Sequence, residues 1–130
     1  MILVDSTVLI DFLRGEKTAI HAIKEESVIL YTTEINVFEL VTGTYAGKKN
    51  QKEHLERIFA MLSRMIILPL NRKATMKAGE IAGTLLKEGK RIEETDSLIA
   101  GIALSNGINT ILTQNKSHYE RISELDVISY

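Results

Sequence analysis

Short apolar runs alternate along this chain with longer segments of helical period. The runs are Ile2-Leu3-Val4, Val28-Ile29-Leu30-Tyr31, Ile66-Ile67-Leu68, Thr110-Ile111-Leu112 and Val127-Ile128. Each is brief and rich in branched side chains, which suits strands buried on both faces of a parallel sheet. Between them, Val8, Leu9, Phe12 and Leu13 predict a helix that ends near Gly15, and Ala19, Ile20 and Ile23 a second. Residues 34–42 predict a third, with Thr33 as its N-cap. Leu55, Ile58, Phe59 and Leu62 mark a fourth, in which Phe59 and Leu62 are read as core. Ala74, Ala78, Ile81, Ala82 and Leu85 mark a fifth behind an Asn71 cap. Residues 98–104 mark a sixth, apolar nearly all round and so expected to be buried. This alternation predicts an α/β fold: one domain over residues 1–130 with a mainly parallel five-stranded sheet flanked by helices. Residues 43–50 and 89–91 are expected as loops.

Composition narrows the chemistry. The chain has no cysteine, which removes disulfides, thiolate metal sites and a cysteine nucleophile. Its first apolar run is short and has no basic leader, and no stretch approaches the roughly 20 apolar residues of a membrane helix. A cytoplasmic protein without membrane association is expected. Lys and Arg number 16 against 17 Asp and Glu, a net charge of −1. There is thus no global basic footprint for nucleic acid, although a bound cation would supply positive charge locally.

Open α/β sheets bind ligands outside the carboxyl ends of their strands. Asp5 ends the first strand. Thr113 and Asn115 follow the fourth, Asp96 opens the sixth helix, and Glu39 lies in the third helix just after the second strand. Asp5 has a bland reading as a helix N-cap, and Asp96 as a dipole partner or cap in competition with Thr95. Asn36, Glu39 and Gly43 form one narrow polar stripe on an otherwise apolar helix, which reads either as a solvated face or as a functional carboxylate. Glu93 and Glu94 are read as a solvated loop pair. Carboxylates converging at one rim do not all ionise cheaply without a cation. Oxygen-only ligands select Mg²⁺ or Mn²⁺ over zinc. Such an ion would favour phosphodiester hydrolysis through Asp5, Glu39 and Asp96.

Four segments carry a resemblance to a known family. ILVDSTVLIDFLRG, TTEINVFELVTG, EETDSLIAGIALSNG and TILTQNKSHY stand in the order of the motifs of PIN domains, especially VapC-type toxins, and span nearly the whole chain. The resemblance implies a metal-dependent endoribonuclease, commonly a homodimer, inhibited by a VapB-like antitoxin. It implies Asp5, Glu39 and Asp96 as metal-site acids, with Thr7 and Thr113 as supporting hydroxyls. Where many PIN domains have a fourth acid this chain has Asn115, which carries no charge and puts a second metal in question. His118 replaces an acidic residue often seen near the end of that motif.

RNA also has to be held. Arg14, Lys17, Lys48, Lys49, Lys52 and Lys116 are read either as a basic groove near the acids or as solubilising charge. Phe59, Met61, Leu62 and Met65 give the fourth helix more apolar surface than one face needs, either for core packing or for a dimer or antitoxin. A haloacid-dehalogenase-type phosphatase would need a second Asp where Thr7 stands, and a receiver domain would leave Glu39 unexplained. A housekeeping PIN-domain nuclease without an antitoxin and a non-catalytic PIN-like binding module are the other readings.

Overall fold

The branched apolar runs form strands, and they do so side by side. A computed structural model describes residues 1–26, 29–47 and 49–130. Its strands are β1 (Ile2–Val4), β2 (Leu30–Thr33), β3 (Ile66–Leu68), β4 (Thr110–Leu112) and β5 (Asp126–Ile128). They form one five-stranded sheet in the order β3-β2-β1-β4-β5, every pairing parallel. The helices among the described residues are α1 (Ser6–Leu13), α2 (Lys17–Glu25), α3 (Glu34–Ala46), α4 (Gln51–Leu62), α5 (Arg72–Lys87), α6 (Glu94–Ser105) and α7 (Lys116–Tyr119). None of them is long and apolar enough to cross a membrane.

Successive residues of a strand face opposite sides of the sheet, and β1 divides the interior accordingly. Leu3 joins a core built largely from α5 and α6, with Ile81, Leu85, Ile99, Ala103 and Tyr119. Ile2 and Val4 join a second core with Val8, Leu9, Ala19, Leu40, Ile58 and Leu62. The sheet is thus the middle layer of three. On the first side α6 lies very close to α5: a Cβ on Gly101 would stand 2.6 Å from Cβ and N of Ala78 and 2.7 Å from the oxygen of Ala74. Only glycine permits that approach, and it fixes the helix whose first turn carries Asp96.

Both expected caps form. Thr33 accepts from Asn36 N, and the Asn36 side chain accepts from Thr33 N in return, closing a capping box. Asn71 Oδ1 accepts from Ala74 N at 2.9 Å. Several elements differ from expectation: β2 runs two residues further than its apolar run, to Thr33, and leaves Ile29 outside it and exposed. Helix α3 runs on through residues 43–46, which were expected as loop, because Thr44 is buried there and bonds to the Leu40 carbonyl and to His54 of α4. Helix α6 starts at Glu94, a turn before its apolar run. The four-residue α7 was not anticipated, being too short to show a period. Phe59 was read as core but is 55% exposed, whereas Leu62 is buried. Both are apolar and on one helix, and only the packing of α4 separates them. Val28 of the expected second strand and Lys48 of the expected loop lie outside the described residues.

Candidate active site

Strands β2 and β3 lie to one side of β1, and β4 and β5 to the other. The crossovers therefore diverge between the carboxyl ends of β1 and β4, the position at which an open α/β sheet leaves a crevice. Asp5 follows β1 at that point and Thr113 follows β4.

Asp5 stands at the N-cap position of α1 but makes no capping hydrogen bond. Its carboxylate is buried and turned to side-chain donors instead. Asn36 Nδ2 donates to Oδ1 at 3.1 Å, while Thr7 Oγ1 at 3.1 Å and Thr113 Oγ1 at 2.6 Å donate to Oδ2. The same two hydroxyls accept the backbone N–H groups of Gln114 and Asn115, at 3.0 and 2.9 Å. A hydroxyl that accepts a proton donor is polarised toward its own acceptor. The segment after β4 therefore reaches Asp5 through Thr7 and Thr113.

Ser6 links Asp5 to Glu39. Its Oγ lies 2.6 Å from Glu39 Oε1 and 3.2 Å from Asp5 Oδ1. With one proton to give, Ser6 donates along the shorter contact and accepts from Asn36 Nδ2 at 3.2 Å. Asn36 is fully buried. Its oxygen accepts from Thr33 N and Thr33 Oγ1 while its amide serves Asp5 and Ser6, so both of its ends are satisfied. Of the polar stripe of α3, Asn36 thus faces inward and Glu39 is half-buried while Gly43 is exposed, and apolar Phe38 is left 61% exposed.

Asp96, in the first turn of α6, caps nothing either: the N-cap position is Glu93, without a side-chain cap bond. Asn115 Nδ2 donates to Asp96 Oδ2 at 2.8 Å, His118 Nδ1 lies 2.7 Å from the same oxygen, and the buried Tyr119 hydroxyl donates to Oδ1 at 3.2 Å. All six residues expected at the site thus join one path of contacts: Glu39, Ser6, Asp5 with Thr7, Thr113, Asn115 and Asp96. Sequence reasoning gave no site role to Ser6, Asn36 or Tyr119. Asn36 was legible as the stripe partner of Glu39, one helical turn away; Ser6 and Tyr119 carried no distinguishing signal. Of the lysines read as a possible groove, Lys116 pairs with Glu120 at 3.5 Å, and Lys17, Lys49 and Lys52 are exposed.

The acids feel one another. Burial raises the Glu39 carboxyl above its usual range; the Ser6 hydrogen bond opposes this, and the charges of Asp5, Asp96 and Glu93 add to it. Burial likewise raises Asp96, opposed by the hydrogen bond to His118 and reinforced by Asp5. Burial first and the nearby carboxylates second push the Tyr119 hydroxyl well up, keeping it a donor. Such a rim gains from a hard cation, and its donors are oxygens. Among the described residues no three His, Asp or Glu side chains stand close enough to hold one ion by themselves. The set suits Mg²⁺ or Mn²⁺, which keep several waters and use one or two carboxylates.

A parallel α/β sheet with buried acids at its switch point is the framework of a PIN domain, and the chain belongs to that family: the PIN domain model matches residues 2–125. Among relatives, it is 33% identical over 92 residues to Ribonuclease VapC1 of Haemophilus influenzae (strain R2866), a match covering 70% of this chain and 66% of the relative. It is 30% identical over 93 residues to the tRNA(fMet)-specific endonuclease VapC of Shigella flexneri, covering 70% of this chain and 67% of that one. The fold matches VapBC2 from Rickettsia felis, solved bound to a DNA fragment from its promoter, with a TM-score of 0.89 and 22% identity over 100% of this chain and 99% of the other.

Proposed function

We propose that this protein is a divalent-metal-dependent endoribonuclease and the toxin of a VapBC-type toxin–antitoxin pair. One observation carries the reading: Asp5 and Asp96 occupy cap and first-turn positions yet spend their carboxylates on a shared polar network rather than on helix ends. The structural explanation of both acids, helix capping, is thereby removed for Asp5. The relatives named as ribonuclease and tRNA(fMet)-specific endonuclease support RNA as the substrate class. The fold match to VapBC2 supports a VapB-like antitoxin as partner. A homodimer belongs to the same proposal, and exposed Phe38 and Tyr45 on α3 offer apolar surface for it.

Asp5 and Asp96 would hold Mg²⁺ or Mn²⁺, directly or through its waters, with Glu39 reaching it through a water; such an ion when bound offers positive charge to phosphate oxygens and makes water more acidic. Asp5 is held by Asn36, Thr7 and Thr113, so its charge is aimed before substrate arrives. Glu39 is half-buried with a raised proton affinity, which suits it to orient the attacking water and accept its proton. Asn115, His118 and Tyr119 hold Asp96 in orientation.

The test is incubation of the purified protein with a mixed RNA pool, with and without Mg²⁺ or Mn²⁺, beside an Asp5→Asn variant. Cleavage that needs the cation and is lost in the variant is expected. Full cleavage by folded Asp5→Asn would sink the assignment.

A further inference from the structure

Helices α1, α3 and α4 enclose a cleft of about 440 Å³ that shares Glu39 with the acidic site and is also lined by Arg14, His54 and Arg57. None of the sequence motifs includes His54 or Arg57. Arg57 reaches across from α4 and donates through Nη2 to the Leu13 carbonyl at the end of α1. That bond ties down one nitrogen of a planar group with five donors. Arg14 follows the same end of α1. Among the described residues neither guanidinium has a carboxylate partner. Both are exposed and, among the described residues, their remaining donors are free, so two guanidinium groups lining one cleft beside an acidic centre can take an anion that bridges the two regions.

His54 narrows what that anion is. Its Nδ1 lies 2.7 Å from Thr44 Oγ1, and the single Thr44 hydroxyl proton is donated to the Leu40 carbonyl at 3.0 Å. Both contacts are satisfied together when the histidine donates from Nδ1, which leaves Nε2 of the neutral ring an acceptor. A ligand for this cleft thus combines an anion for the arginines with a donor for His54. An RNA nucleotide has both, in its phosphate and its 2′-hydroxyl. A carboxylate side chain would set lone pairs against Nε2.

We propose that this cleft is the subsite for the nucleotide next to the cleaved bond, with Arg14 and Arg57 on its phosphate and His54 Nε2 accepting from its ribose hydroxyl. The inference rests on the endoribonuclease reading above. An RNA strand whose scissile phosphate sits at Asp5, Glu39 and Asp96 passes Glu39 to enter the cleft. Arg14, Arg57 and His54 are then positioning residues, acting on substrate binding and on the choice of RNA over DNA.

The experiment has two arms on the full chain. In steady-state RNA cleavage with Mn²⁺, the Arg14→Gln/Arg57→Gln double variant is expected to raise KM roughly tenfold with kcat changed little. In anisotropy titrations of a fluorescein-labelled single-stranded RNA in chelator, the same variant should lower the salt slope by about 0.7 per lost phosphate contact. Arg14→Gln alone, which leaves the Leu13 tie intact, should show a smaller change of the same kind, and Arg72→Gln at the start of α5 none. His54→Phe should narrow the preference for RNA over DNA of the same sequence. Unchanged KM and salt slope in the double variant, with the wild type still cutting, would overturn the subsite and leave the nuclease reading standing. So would polyglutamate binding more tightly than RNA and losing that affinity in the double variant. If the wild type cuts no RNA, the nuclease reading falls and the subsite falls with it; arginine-dependent RNA binding in the anisotropy arm would then mark the cleft as an RNA-binding cleft without a cleaved bond beside it.

Discussion

Asp5 and Glu39 share the Ser6 hydroxyl as a neighbour, yet their surroundings have little else in common. Asp5 is 2% exposed and receives donors from α1, α3 and the segment after β4. Glu39 hangs half-buried from α3, takes a hydrogen bond from Ser6, and borders a cleft containing two arginines. The first environment holds an anion still by surrounding it with fixed dipoles, so that nothing has to reorganise when charge arrives. The second leaves an acid whose proton affinity is raised by burial and by neighbouring acids and which still has access to solvent and substrate. A phosphodiester hydrolase has use for both: one immobile charge and one group that takes up and releases a proton.

The largest test of that contrast is Asp5→Asn. An amide there sets a donor against donors, and cleavage should fall at least about a hundredfold while the fold survives. Activity assays with circular dichroism as the folding control would check it; a variant with near-normal turnover would show that Asp5 is structural. Thr113→Val removes the 2.6 Å donor to Asp5 and the acceptor for Asn115 N. About tenfold to a hundredfold of activity and about 1–3 kcal/mol of stability should go with it, read by kinetics and chemical denaturation. Unchanged values for both would mean that the network does not organise Asp5.

Glu39 should behave in the opposite sense. Its carboxyl and that of Asp96 are raised above their usual values of 4.5 and 3.8. A group raised on folding contributes stability that is fully present below its unfolded value and is lost as pH rises through its folded value. Glu39→Gln should therefore lose activity but melt higher than wild type at neutral pH, and the gap should close as the pH approaches 4.5. A gap that is constant with pH would exclude ionisation as its source. Wild-type cleavage should fall on acidification at a pH above the ordinary carboxylate range. The smallest expected effect is that of the cation on stability: Mg²⁺ or Mn²⁺ should raise the melting temperature at neutral pH, less so in Glu39→Gln. An equal rise in both proteins would place the ion elsewhere.

Much of this architecture is legible in the amino-acid sequence alone. Branched apolar runs at helical intervals are local patterns, and they located the strands, the parallel α/β class and the Thr33 and Asn71 caps within a few residues. The same patterns put Asp5, Glu39, Asp96, Thr113 and Asn115 at strand ends or in adjoining helices, where such sheets bind ligands. Periodicity failed where a helix was apolar on several sides. It did not reveal that Asn36 of α3 faces inward while Phe38 faces solvent, nor that Phe59, read as core together with the buried Leu62, is exposed. It also stopped α3 too early, because the last turn is held by Thr44 and its contact with His54 rather than by propensity.

Local spacing, then, was enough for the fold class, the family motifs and the positions of the acids, because each is written within a short stretch of chain. Whether Asp5 caps a helix or anchors a site depended on Asn36 and Thr113, 31 and 108 residues away in sequence. The pairing of Arg57 with Leu13, 44 residues apart, and the cleft they border likewise exist only once α1 and α4 have packed. Hydrogen-bond partners and buried faces are properties of neighbours brought together by burial of the two cores, and no local pattern records which neighbours those will be.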